Sequence, residues 1–463
     1  MRADQIRRRI ALLSAFAACC VLTSPAALAQ AANGGGWTLS DAVGAPGWLT
    51  VSGSIRPRYE SLSDQLTADS SGGDEMLGLR TFLKAEADGG DVSAVVEILD
   101  ARRLSGNGGG AAAAQVDAVE LLQAHVAWRP IDGVEARLGR FTLDIGSRRL
   151  VARSNFSSTP NSFTGADLNW AFANGANLRA FHVAPDTRLP TDDASALDNE
   201  VALNPSADTV RFSGVEVRAP VGDAIAAEAY AFLLDENDAT NLPTRNRELQ
   251  TFGARVHRDP SAQRFDFDLE AAWQTGEAQS TTSAPTATSL DIEAAMAHVE
   301  GGYTFAAPWS PRIVAMYDYA TGDESPDDRR SQRFDALYGD RSFELGPTSL
   351  FGVVARTNLS SAAARLEVQP APRWDAMVAL RRVDLADARD AFAGTGVRDP
   401  SGAAGRHAGD QVEWRVRHRL ARQAVQFEAG GAWFRRGGMM RNAPNAQADD
   451  DAIYGYASVL FEF

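Results

Sequence analysis

Cysteine is nearly missing from this 463-residue chain, and where it does occur it excludes chemistry. The two cysteines, Cys19 and Cys20, both fall in the first thirty residues. That stretch reads as a secretory leader: Arg2, Arg7, Arg8 and Arg9, an apolar run from Ile10 to about Leu22, then Ala27-Leu28-Ala29. Cleavage after Ala29 removes residues 1–29, so the mature chain has neither disulfide nor thiol chemistry. A lipidated cysteine is the rival reading, but Phe16 stands where such a site prefers leucine. Residues 30–47 then form a short periplasmic segment ahead of the main domain, 48–463.

Long apolar runs are also missing. Beyond the leader no stretch of about 18 apolar residues occurs, which excludes a helix crossing a bilayer. Lysine is reduced to Lys84, and nearly all positive charge is arginine. The formal charge of -15 gives no footing for nucleic acid. The six histidines, among them His125, His182, His257 and His298, are scattered. With no His-Glu-x-x-His pair and no Gly-x-Ser-x-Gly elbow, the chain offers no catalytic motif, no metal ligand set and no cofactor fingerprint. It reads as a non-enzyme.

What is present is period two. In Gln411 to Leu420, Val412, Trp414, Val416, His418 and Leu420 share one parity, while Gln411, Glu413, Arg415, Arg417 and Arg419 share the other. A strand sends these sets to opposite faces. The pattern recurs at Leu49 to Glu60, at Leu77 to Asp88, from Phe265 to Gln274, and from Trp374 to Arg381.

The connections alternate as well. Long polar or glycine-rich segments fall near 60–75, 102–116, 143–162, 185–208, 235–247, 276–290, 321–348, 386–409 and 435–451. Tight junctions separate them: Asp88 to Gly90, Pro130 to Gly133, Ala173 to Gly175, Pro220 to Asp223, Asp259 to Ala262, Ala307 to Pro311, Pro370 to Pro372, and Ala421-Arg422. Nine long and eight short connections predict an all-β transmembrane antiparallel barrel of about 18 strands, with short periplasmic turns and long extracellular loops. Asn177 to Ala184 and Ser349 to Gln369 are its least regular strands. A soluble Greek-key sandwich would not sort its loops to one end in this way. Ile453, Gly455, Ala457, Val459, Phe461 and Phe463 share a parity, so the final strand ends in phenylalanine and closes on the first. Trp48, Trp128, Trp273, Trp374 and Trp433 mark strand ends, as aromatic girdles do.

The run Ala118 to Trp170 carries Val119-Glu120-Leu121-Leu122-Gln123-Ala124-His125, Leu138-Gly139-Arg140, Gly146-Ser147-Arg148-Arg149-Leu150-Val151 and Ser162-Phe163-Thr164-Gly165-Ala166-Asp167-Leu168. Later come Tyr317 to Asp323, Arg333 to Gly339, and Asn358. In order and spacing this resembles the alginate export family of outer-membrane proteins, from about Ser52 to Phe463. Phe141 stands where that family usually has Gln, and Thr164 where it usually has Asp. The resemblance implies an 18-stranded barrel in the bacterial outer membrane and an anionic polysaccharide as substrate class.

Strand parity places Arg56, Arg58, Arg80, Lys84, Arg415, Arg417 and Arg419 on the lumen wall of strands that closure makes neighbours. Arg140 and Arg149, with Arg148, belong to the family-like run and are expected at the pore mouth or on a loop folded inward. Such a stripe concentrates anions, and a polyuronate carboxylate can pair two-pronged with each guanidinium. The opposing reading pairs the cations with lumen acids such as Glu60, Glu86, Asp268, Glu270, Glu413 and Glu428, stiffening the wall. Acidic groups in the long loops, Asp186 and Asp323 among them, read as solvated surface. The expected function is therefore a passive channel for anionic oligo- or polysaccharides or other anions. Its surroundings would be outer-membrane lipid and lipopolysaccharide, and export would add periplasmic partners. A plugged structural or adhesion barrel, and an uptake porin for neutral or aromatic solutes, are the alternatives.

Overall fold

The computed structural model describes residues 38–68, 70–106, 114–239, 242–282, 286–325, 327–420, 424–447 and 450–463. The stretch expected to be a leader, both cysteines and the expected junction Ala421-Arg422 lie outside the described residues. Eighteen antiparallel strands close into one barrel. They are β1 Leu49–Leu62, β2 Asp74–Asp88, β3 Val92–Gly106, β4 Asp117–Trp128, β5 Val134–Phe141, β6 Phe163–Ala171, β7 Asn177–Pro185, β8 Val210–Val221 and β9 Ile225–Glu236. The second half is β10 Glu248–Arg258, β11 Phe265–Gln279, β12 Ser289–Thr304, β13 Arg312–Ala320, β14 Leu359–Val368, β15 Trp374–Asp384, β16 His407–Leu420, β17 Val425–Arg436 and β18 Ala452–Glu462. A two-residue piece, Arg330–Ser331, adds a parallel pairing to β12 from within a loop.

Each strand pairs with its sequence neighbour, and β18 returns to β1 in register Ile55 to Phe461 and Tyr59 to Ala457. No strand edge is left free around the wall, which removes the unpaired backbone that lipid cannot satisfy. The seam is finished at its periplasmic end by reciprocal bonds between Gly53 and Phe463, of 2.8 and 3.0 Å. β1 extends past β18 there, and Ser40 compensates. From the short helix α1, Leu39–Ala42, its hydroxyl donates to the Val51 carbonyl and accepts the Val51 amide at 2.9 and 2.7 Å.

Alternation is visible along the wall. In β3, Val92, Val96 and Ile98 are exposed to the outside, while Ser93, Val95, Glu97 and Leu99 are buried inside. The outward ends carry Trp48, Trp128, Phe265 and Trp309 near the short turns, positions suited to the membrane interface. The irregular stretch from Ser349 differs from its expectation: β14 begins only at Leu359. Residues 349–358 belong to the preceding loop, bounded by left-handed Ser349 (φ 68) and Asn358 (φ 45). The Asn358 amide donates to the Asp387 and Ala391 carbonyls, so a neighbouring loop holds this segment off the sheet.

We number the nine long loops L1 to L9. L3 (142–162) and L7 (321–358) enter the lumen and meet in a parallel bridge between Val151 and Tyr338. Around it the inward faces of the strands build a hydrophobic core: Phe141, Phe163, Phe181, Phe212 and Phe232 from the wall, Leu150 and Val151 from L3, Leu345 and Phe351 from L7. The main core thus lies inside the cylinder, in its extracellular half. L4 (186–209) does the opposite and crosses outside. Its Asn199 exchanges hydrogen bonds with the Arg103 backbone of β3 at 2.7 and 2.9 Å.

Candidate functional site: an arginine-lined chamber beneath a tethered loop

Lumen parity in β1, β2 and β16 places Arg56, Arg58, Arg80, Arg415 and Arg417 around one cavity of about 680 Å³. L3 adds Arg148 and Arg153, and the acids on the same lining are Asp340, Glu413, Glu428 and Glu462. Seven arginines and four acids face it, while Glu60 and Glu97, off the lining, pair with Arg58 and Arg153. Phe82, Phe156, Phe343 and Tyr456 supply flat apolar surface between the charges. Arg415 also lines a second cavity, of about 890 Å³, with Arg312, Arg373, Asp375 and Arg419 toward the periplasmic end. The two spaces share that side chain.

The arginines differ in what they hold. Arg58 pairs with Glu60 at 2.8 Å and lies over the Phe156 ring at 4.6 Å. Arg417 pairs with Glu428 at 2.6 Å. Arg415, Arg417 and Arg419 all approach Asp375, at 3.6 to 3.9 Å, so one carboxylate serves three cations. Among the described residues Arg56 and Arg80 have no ion pair with any carboxylate. Arg56 donates to the carbonyls of Asn155, Phe156 and Ser157 at 2.9, 3.0 and 3.3 Å. Arg80 donates to those of Asn155 and Ser157 at 2.9 and 3.1 Å. The Nε atoms of Arg56, Arg80 and Arg415 and Nη2 of Arg58 are buried without an acceptor.

Three residues of the expected set take other places. Lys84 sits lower on the wall, paired with Glu86 at 2.8 Å. Arg140 lies on the parity of Leu138, which is 69 % exposed on the outer face. There it meets Glu120 at 2.5 Å, Asp186 at 3.2 Å and the Asn204 carbonyl at 2.8 Å, beneath L4. Asp186, expected in solvated surface, is buried in that contact. Thr164, one of the two departures from the family pattern, donates to Asp186 at 3.0 Å; the other, Phe141, packs in the lumen core.

Arg149 is carried inward on L3 and is 1 % exposed. Its guanidinium holds Glu270 of β11 at 2.5 Å, Asp268 at 3.0 Å, and both carboxylate oxygens of Glu344 in L7. Arg356 reaches the same Glu344. Against a burial that alone would raise it, Arg149, Arg356 and His298 hold the Glu344 carboxyl well below its ordinary range. Asp268, His298 and Glu344 bring ligand atoms within 4.8 Å of one another. The Arg149 guanidinium already bridges the two carboxylates, so the cation's place in that group is filled by the chain itself.

Arg153, Phe343 and Glu344 had no signal in the sequence, because loop residues carry no strand parity. Parity did mark Glu413, which lines the chamber near Arg415.

A closed cylinder with an apolar outer wall and charged cavities within is an outer-membrane β-barrel channel. The alginate export family model matches residues 47–453, and the chain belongs to that family. Solved structures with a similar fold include three from Pseudomonas aeruginosa. OccK8 (OprE) is 12% identical, with a TM-score of 0.61, over 90% of this chain and 98% of that one. OccK5 (OpdH) and the outer membrane protein opdK are each 13% identical, with a TM-score of 0.57, over 90% and 98%. No curated protein sequence matches the chain. The protein resides in the bacterial outer membrane.

Proposed function

We propose that this channel passes anionic saccharides, with an acidic polysaccharide or its oligomers as the substrate class. The single observation that carries the reading is the state of Arg56 and Arg80: two lumen cations that face a chamber and have only neutral carbonyls as partners. A fixed positive field inside low-dielectric walls raises the local concentration of anions. The planar guanidinium fork fits a carboxylate in two-pronged fashion. A polyuronate carries one carboxylate per sugar and can move by exchanging partners from Arg419 and Arg415 to Arg417, Arg56 and Arg80. Each step stays weak because Asp375 and Glu428 compete for the same donors. Lipid and lipopolysaccharide surround the wall, and use for export adds periplasmic partners.

Planar bilayer recording under a KCl gradient tests this. The expected result is an anion-selective pore whose preference falls when Arg56, Arg80, Arg415, Arg417 and Arg419 are replaced by Gln. A cation-selective pore, or an anion preference untouched by those changes, overturns it. The interlocked L3 and L7 favour a second reading, a plugged structural barrel, which requires negligible conductance in the same recording.

A further inference from the structure

We infer that the segment Asn155 to Ser157 of L3 is a latch that the anionic substrate itself releases; this rests on the anion-channel reading above and adds the regulation of the same chamber. Six hydrogen bonds, from Arg56, Arg58 and Arg80, end on three consecutive backbone carbonyls. No carboxylate takes part in them. The loop therefore occupies, with neutral acceptors, donors that an anion would use better. A charge-assisted bond from guanidinium to carboxylate is roughly twice as strong as a bond between neutral groups, and the two-pronged geometry adds to it. An incoming carboxylate also relieves the mutual repulsion of three cations on adjacent strands, which a carbonyl relieves only in part.

The rest of the segment's anchorage is thin. The Phe156 ring lies under the Arg58 guanidinium and meets the Tyr456 ring edge-on at 5.3 Å. Ser157 Oγ touches Thr348 Oγ1 of L7 at 3.2 Å. Immediately before the segment, Ser154 holds a left-handed backbone with φ 59. That conformation is strained for a non-glycine residue. Deeper in L3, Arg149 is fixed by three carboxylates. The loop therefore has a root tied by ion pairs and a tip whose charged anchors, Arg56, Arg58 and Arg80, are the groups the substrate competes for, leaving Phe156 against the core and Ser157 on Thr348 as its other contacts. A ligand shifts such an equilibrium only by its difference in affinity for the two states, and here the difference is the exposure of the Arg56, Arg58 and Arg80 donors. A neutral sugar has no such difference and leaves the latch closed.

Two measurements test this. First, Ser157→Cys with Thr348→Cys cross-links the tip of L3 to L7. Under oxidising conditions the reversal potential in a KCl gradient is expected to stay that of the parent, because the chamber charges are intact. Current interruptions by added trigalacturonate are expected to fall at least tenfold and to return on reduction. Trigalacturonate events at parent frequency in the oxidised protein overturn the latch. A parent protein without anion preference instead overturns the channel reading, whatever the cross-link does. Second, a fluorophore is attached at Asn155→Cys, a site whose backbone alone makes the contact. It is expected to change emission with trigalacturonate and not with maltotriose. No change, or an equal change with both, overturns the latch independently of how the cross-linked variant folds.

Discussion

Arg149 and Arg56 are the same side chain put to opposite uses. Arg149 is surrounded by carboxylates and is a structural cation, while Arg56 ends on carbonyls and keeps its charge uncompensated. The difference predicts different mutants. Glu344→Gln removes the charge that Arg149 and Arg356 share. Arg149 keeps Asp268 and Glu270, but Arg356 loses its carboxylate, and leaving a buried cation without its partner costs about 3–5 kcal/mol. The expected outcome is a looser L3–L7 contact, read as noisier and larger single-channel currents and faster proteolysis within L7. The same residue sets a pH window. Its carboxyl is depressed on folding, so its contribution is fully present above the unfolded value and is lost as pH falls through the lower, folded one. Proteolysis within L7 is therefore expected to stay as slow as at neutral pH down to about pH 4.5, the ordinary carboxyl range, and to quicken only in stronger acid. Faster cleavage already at pH 5 would show that Glu344 is not held in this way. Arg140 teaches the converse about reading sequence. Its parity, shared with Leu138, was legible and pointed outward; the family-like run around it suggested the pore instead.

At the scale of elements, strands were readable and inward loops were not. Alternation in β1, β2, β11, β15 and β16 is enforced by lipid on one side and a charged lumen on the other. It therefore survives in any segment that spans the wall. The long and short connections carry the even strand number for the same reason. L3 and L7 hold no such repeat. What draws them inward is a set of individual contacts, Arg149 to Glu344 and Val151 to Tyr338, between residues nearly two hundred positions apart. The same holds for the hydrophobic core, whose inward phenylalanines lie at the extracellular ends of β6 to β9 and look, in sequence, like ordinary strand residues. The closing seam gives a prediction at this scale. A Cβ on Gly53 would lie 2.6 Å from the Phe463 ring and 2.8 Å from the Phe82 carbonyl. Gly53→Val is expected to cost about 1–3 kcal/mol by overpacking and to lower the fraction of barrel that resists SDS without heating. Trimming Phe463 to Ala should recover part of it only, since the Phe82 backbone remains.

For the molecule as a whole, the balance of charge is the reverse of that on the chamber lining. The chain is acidic at -15, yet the chamber carries an excess of arginine. Selectivity that comes from fixed charge is screened over about 10 Å at 0.1 M salt and about 3 Å at 1 M. The anion preference is accordingly expected to be marked in dilute KCl and to approach unity near 1 M, measured as reversal potential at a constant concentration ratio. A preference independent of salt would point to a steric filter at L3 and L7 instead.

The even number of strands brings β1 and β18 to the same rim, where Gly53 and Phe463 exchange their bonds. A reporter spliced onto either end of the cylinder is thereby committed to the inner compartment, and a surface epitope has to be carried by an outer loop. The two rims are not interchangeable for engineering: cargo appended after Phe463 also loads the one joint that every other strand depends on for a continuous wall.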